Sequence, residues 1–182
     1  MSLWQLPITA RIGERTYTLH TDYRDVLEIF SYLDNEEIPM AVRWQIALGL
    51  FFEEEIPETD LQQAVSYFSW FISCGEPGQS GEKLICWQQD AALIVAEVNR
   101  VSGQEIRGLP YLHWWTFLGW FHAIGEGRFS AVVALRKKLR RGQPLEPWEK
   151  TFYRENKAVV DLQRRYSRQE LQERERLLQL LK

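Results

Sequence analysis

The sequence is poor in the residues that build disulfide frameworks, metal centres and membrane spans. It holds two cysteines, Cys74 and Cys86, and three histidines, His20, His113 and His122. Two thiols close at most one bridge, far fewer than a disulfide-built secreted domain carries, so a reducing cytoplasm is the simplest home. Neither the cysteines nor the histidines form a close ligand pair, so no metal and no cofactor is expected. No run approaches the roughly 20 apolar residues of a membrane helix, because Thr116 interrupts the run from Trp114 to Phe121. The start, Met1 to Pro7, lacks a basic region followed by a long apolar one and does not read as a signal peptide.

Catalytic patterns are equally scarce. A phosphate-binding loop needs Gly-Lys-Ser/Thr after a strand, whereas Gly81-Glu82-Lys83-Leu84 puts an acid where the lysine belongs and follows an apparent helix. Nothing in sequence pairs Cys74 or Cys86 with a base and an orienting group. Glu53-Glu54-Glu55, at a helix end before Pro57, reads as a solvated corner. His113 reads as a satisfied core or interface histidine. No enzyme is expected.

Aromatic residues are what the chain has in abundance: 8 Trp, 7 Tyr and 9 Phe. They concentrate in Tyr111-Leu112-His113-Trp114-Trp115-Thr116-Phe117-Leu118-Gly119-Trp120-Phe121. Read as a helix, this stretch puts Leu112, Trp115 and Leu118 on one side and Trp114, Phe117, Phe121 and Ile124 on the other. A helix that is apolar all round must be buried, against its own chain or a partner. Each large apolar side chain stabilises by about 1.5–3 kcal/mol on burial, so this stretch should organise the fold. Single-strand nucleic-acid binders expose aromatics among Lys and Arg, and this cluster has neither, so nucleic acid is disfavoured. Core packing comes first and a hydrophobic protein interface second.

The rest of the chain predicts a mainly α, compact multi-helix domain with a small N-terminal β-hairpin and a C-terminal helical extension. Alternation in Ile8 to Ile12 and in Arg15 to Leu19, around Gly13-Glu14, predicts the hairpin at about 8–19. Thr21 or Asp22 caps a helix to about Leu33. Pro39 suits the first turn of a second helix, with Val42, Trp44, Ile46, Ala47, Leu50 and Phe51 as its apolar residues. A third runs from near Thr59 or Asp60 to Cys74, and residues 75–83 read as a mobile loop. Helical pattern resumes at about Trp87 and stops near Gly103. After Pro110 comes the aromatic helix, and then a helix from Phe129 to Leu139 with Val132, Val133 and Leu135 inward. Arg136, Lys137, Lys138, Arg140 and Arg141 crowd its end, where cations suit the helix dipole. From Trp148, just after Pro147, the chain looks helical almost to its end. Residues 1–165 form the expected single domain and 166–182 the extension.

Charge is split along the chain. Residues 1–127 hold 7 Lys/Arg and 18 Asp/Glu, a net of −11, while residues 128–182 hold 15 and 7, a net of +8. Two readings fit such polarity equally: it steers head-to-tail self-association or docking on an oppositely charged partner, or the charges form solvated faces of surface helices. The expected partner contacts are Tyr111, Trp114, Trp115, Phe117, Trp120 and Phe121 of the aromatic stretch and Leu177, Leu178, Leu180 and Leu181 of the tail.

Several short motifs, in one order, resemble a bacteriophage family catalogued as gene product fifteen. They are Gly13-Glu14-Arg15-Thr16-Tyr17 with Thr21-Asp22-Tyr23-Arg24, then Ala47-Leu48-Gly49-Leu50-Phe51-Phe52 with Ile56-Pro57. Trp70-Phe71-Ile72-Ser73-Cys74-Gly75, Gln89-Asp90-Ala91-Ala92 and Tyr111-Leu112-His113-Trp114-Trp115-Thr116-Phe117 follow, so the resemblance covers about residues 8–160. It implies a mostly helical protein of the tail-morphogenesis module of long-tailed phages or prophages, acting in the cytoplasm of the bacterial host. Its gene position implies a tail assembly chaperone, a non-enzymatic binder that coats the aggregation-prone tape-measure protein until tube subunits replace it. A structural virion component and an enzyme with a site built from scattered residues are the alternative classes.

Overall fold

The structure is a computed structural model that describes residues 4–76 and 82–163. Residues 77–81 of the expected loop, the extension at 166–182 and its four leucines lie outside the described residues. What is described is mainly helical with an N-terminal hairpin, as the sequence predicts.

Strands β1 (Thr9–Ile12) and β2 (Arg15–Thr18) pair antiparallel, with Thr9 opposite Thr18 and Ile12 opposite Arg15. Gly13 makes the turn at φ +59, a conformation that favours glycine. Two strands are marginal alone, and this pair is held from outside. The Glu53 N–H donates to the Thr18 carbonyl, and the Glu54 carboxylate accepts from both the N–H and the hydroxyl of Thr18. The acidic corner is therefore more than a solvated end, because Glu54 fastens the hairpin.

Helix α1 (Tyr23–Leu33) starts at Asp22, whose carboxylate accepts from the Arg24 N–H. Helix α2 (Met40–Phe51) begins one residue after Pro39, rather than with Pro39 in its first turn, and buries Ala47, Leu48 and Phe51. Val42, one of the apolar residues expected of this helix, is 42% exposed. A single 3₁₀ turn, Glu58–Asp60, leads into α3 (Leu61–Ile72), which buries Ala64, Phe68 and Phe71. Helix α4 (Ala91–Ser102) starts four residues later than expected. Trp87 to Asp90 instead form turns, closed by the Asp90 N–H on the Cys86 carbonyl and by the Cys86 N–H on the Asp90 carboxylate. Gly103 ends α4 in the left-handed conformation, φ +71.

The aromatic stretch is helical only from Trp114. In α5 (Trp114–His122) the cap is His113, and Tyr111 and Leu112 precede it. Helix α6 (Arg128–Arg140) follows, then α7 (Pro147–Glu155), which has its proline at the first position, and α8 (Lys157–Val160). The continuous helix expected from Trp148 is broken at Asn156 (φ −120, ψ 25) and ends at Asp161 in extended backbone.

The main core gathers the inner faces of the hairpin and of α1 to α5 around Phe51, Phe52, Phe68, Phe71, Trp114 and Phe117. A second, smaller cluster, Val132, Leu135 and Val160, lies between α6 and α8. One cation of α6 departs from the expected basic end. Arg136 is 5% exposed and points inward, where it pairs with buried Asp90.

Candidate docking groove

Helices α1 and α5 begin at one knot. The Tyr23 N–H donates to the Leu112 carbonyl at 2.9 Å and the Trp114 N–H to the Thr21 carbonyl at 2.7 Å. The Asp22 carboxylate then accepts from the Leu112 N–H and from the Arg24 guanidinium. Burial raises its pKa, and the guanidinium and the N–H groups of Arg24 and Leu112 more than offset that, so the carboxyl titrates below its ordinary range. His113 uses both ring nitrogens here: Nδ1 accepts from the Trp115 N–H and Nε2 meets the Pro7 carbonyl.

Helix α5 packs against the end of α3, where the last carbonyls lack helical partners. The indole N–H of Trp114 donates to the Ile72 carbonyl at 3.0 Å and that of Trp115 to the Phe71 carbonyl at 2.8 Å. Adjacent tryptophans thus meet adjacent carbonyls at the end of α3, of which that of Phe71 also accepts from the Cys74 N–H. Phe117 stacks on Tyr23 with centroids 4.8 Å apart, and Trp87 lies against Trp114, Phe117 and Phe121.

The far end of α5 borders an apolar groove of about 450 Å³. Phe121 and Ile124 form one side, and Phe129, Val133 and Ala134, on one face of α6, form another. Ile85 closes it from the segment before α4. Arginines of α6 hold the backbone of that segment, Lys83 also ties it to Asp34, and Ile85 packs it on the main core. Arg136 donates to the Leu84 carbonyl and Arg140 to the Lys83 carbonyl. Arg136 also grips Asp90 through two bonds of 2.7 and 2.8 Å and donates to the carbonyls of Val159 and Val160. His122, Ser130 and Lys137 complete the groove's margin.

Of the expected partner contacts among the described residues, Phe121 alone lines this groove. Trp114 and Phe117 are each 1% exposed and belong to the core. Trp115 and Trp120 are half-buried, and Tyr111 is 52% exposed with its hydroxyl 2.6 Å from that of Thr21. Sequence reasoning missed Ile85, Phe129 and Ala134 as lining residues. The usable signal was the pairing of Ile124, apolar yet beyond the end of α5, with Val133 on the next helix.

Two further clefts have more polar side chains in their lining. One, about 210 Å³, is lined by His20, Asp25, Glu28, Gly49 and Leu50. The other, about 450 Å³, lies between β1 and α3 beside Arg11 and Tyr67. Among the described residues no three His, Cys, Asp or Glu side chains are grouped to hold a metal ion. Burial, with the Glu76 charge, pushes the Cys74 thiol up to about 11, away from the thiolate a nucleophile needs.

Among the described residues a hairpin and eight helices, with an aromatic core shared by α1 to α5 and an open apolar groove at its margin, define a mainly helical scaffold. The chain belongs to the Bacteriophage Gp15 protein family, whose model matches residues 4–162. No curated protein and no solved structure matches it. Among the described residues no helix is long and apolar enough to cross a membrane.

Proposed function

We propose that this phage-family protein is a non-enzymatic tail assembly chaperone that holds the tape-measure protein during tail morphogenesis, in the cytoplasm of the host. The observation that supports this reading is the apolar groove bounded by Phe121, Ile124, Phe129 and Val133. Its partly exposed apolar walls suit the stripe of a client helix, held by anchors at i, i+3 or i+4 and i+7. The Glu97 and Arg100 side chains, Glu105 and Arg107 are spent on one another rather than on a reactive centre.

The test is co-expression with the tape-measure protein of the same gene cluster, scoring soluble yield and co-purification. A soluble tape measure that elutes with this chain supports the reading. A tape measure that stays insoluble while this chain elutes alone would overturn it and favour a component of the finished tail, to be sought in purified particles.

A further inference from the structure

We infer that the α5–α6 groove takes an amphipathic helix whose apolar stripe is flanked by acidic residues, supplied by another protein. This rests on the chaperone reading and adds the chemistry of the client.

The apolar part of the claim comes from the walls and the acidic part from the margin. From His122 to Arg141 the sequence has six Lys/Arg and a single acid, Glu126. Most of those cations are occupied within the protein. Arg136 holds Asp90, Lys138 holds Glu149, and Arg141 faces Glu82. Arg128 donates to the Asn156 side chain and Arg140 to the Lys83 carbonyl. Lys137 is the exception. It lines the groove, it is exposed, and no carboxylate among the described residues reaches it. An ammonium beside an apolar trough selects a ligand that carries a carboxylate next to its apolar anchors. Like-charge juxtaposition at such a margin disfavours basic helices.

The same charge logic weighs against the chain's own tail as occupant. Residues 164–182 contain Leu177, Leu178, Leu180 and Leu181 but hold 6 Lys/Arg against 3 Glu. A net positive segment is a poor match for a cationic margin. A second copy placed groove to groove would bring two cationic margins together, which the same charge logic disfavours.

Two labelled synthetic helices with the same leucine stripe, one flanked by Glu and one by Lys, provide the test, with fluorescence anisotropy on the full chain at low salt. The expected result is that the Glu peptide binds at least about tenfold tighter than the Lys peptide. Lys137→Glu should remove or invert that preference, and Ala134→Glu, an exposed position in the trough, should weaken the Glu peptide sharply while circular dichroism stays unchanged. Equal binding of both peptides, or binding of the Glu peptide that Ala134→Glu leaves intact, overturns the inference.

Two variants decide between occupants. If a full-length chain with the four tail leucines changed to serine binds the Glu peptide much more tightly than the parent, the tail is the natural occupant and the inference is wrong. If the parent is a dimer that Ala134→Glu disperses, a second copy is. Co-purification of the tape measure without any charge preference would sink this inference and leave the chaperone reading standing. A clear charge preference without co-purification would do the reverse.

Discussion

His113 shows how much one side chain settles at the start of α5. The Trp115 N–H can only donate, so Nδ1 must be the acceptor, and Nε2 carries the proton that goes to the Pro7 carbonyl. The ring is 2% exposed, and the imidazolium would turn a second donor toward the Trp115 N–H. Burial lowers its pKa, and the Pro7 carbonyl offsets this only in part. A histidine whose folded pKa is depressed contributes its full stability above the unfolded value, about 6.5, and loses it as pH falls through the folded value. The urea midpoint of the protein should therefore drop between pH 7 and pH 5. His113→Asn keeps a capping acceptor and removes the titration. It should cost about 1–2 kcal/mol at pH 7 through the lost Pro7 bond and leave a flatter pH profile. Parallel profiles for the two proteins would show that another group carries the slope.

At the scale of elements, the sequence carried the kind and order of the helices but not the break between α7 and α8, and its misreadings fall where polar side chains compete with the helical backbone. The hairpin, the cap at Asp22 and the stop at Gly103 were legible because turn and cap chemistry is local. The start of α4 was not, because Asp90 holds the Cys86 N–H and Arg136, a partner 46 residues away. Arg136 itself read as one more cation of a basic helix end. Nothing in its spacing says that it turns inward, since that depends on a carboxylate brought from α4. The groove was half legible: Phe121 was expected as a contact, whereas Ile85 is placed there by tertiary contacts, its own packing on the core and the hold of Arg136 and Arg140 on the preceding carbonyls. Two glycines separate local from tertiary effects. Gly119 sits inside α5 with open space where a Cβ would be, so Gly119→Ala should stabilise by about 0.5–1 kcal/mol through the unfolded chain. Gly103 also has open space, but its φ is +71, so Gly103→Ala should destabilise by about 1–2 kcal/mol. Thermal midpoints that shift in opposite directions would bear out the pair, and shifts of the same sign would refute it.

The whole molecule divides its stability unevenly between an aromatic core and a polar staple. Helices α1 to α5 share the main cluster, whereas α7 buries Glu149 alone and α8 buries Val160. What fixes α8 is Val160 in the smaller cluster, Arg136 on the carbonyls of Val159 and Val160, and the Gln89 amide on those of Ala158, Val159 and Asp161. Segments with few buried apolar contacts open locally at a lower free energy than the core, so α7 and α8 should exchange their amide hydrogens before α1, α3 and α5. Arg136→Met keeps most of the aliphatic stem but leaves the Asp90 carboxylate buried without its cation, a change worth about 3–5 kcal/mol. Hydrogen exchange in that variant should accelerate in residues 84–90 and in α8 well before it does in α5. Because the same guanidinium holds the Leu84 carbonyl beside Ile85, groove binding should fall with it even where the core stays protected. Uniform acceleration across all helices would instead mean that the staple and the aromatic core unfold as one cooperative unit. The groove would then depend on global stability, and no local change at its wall could tune it.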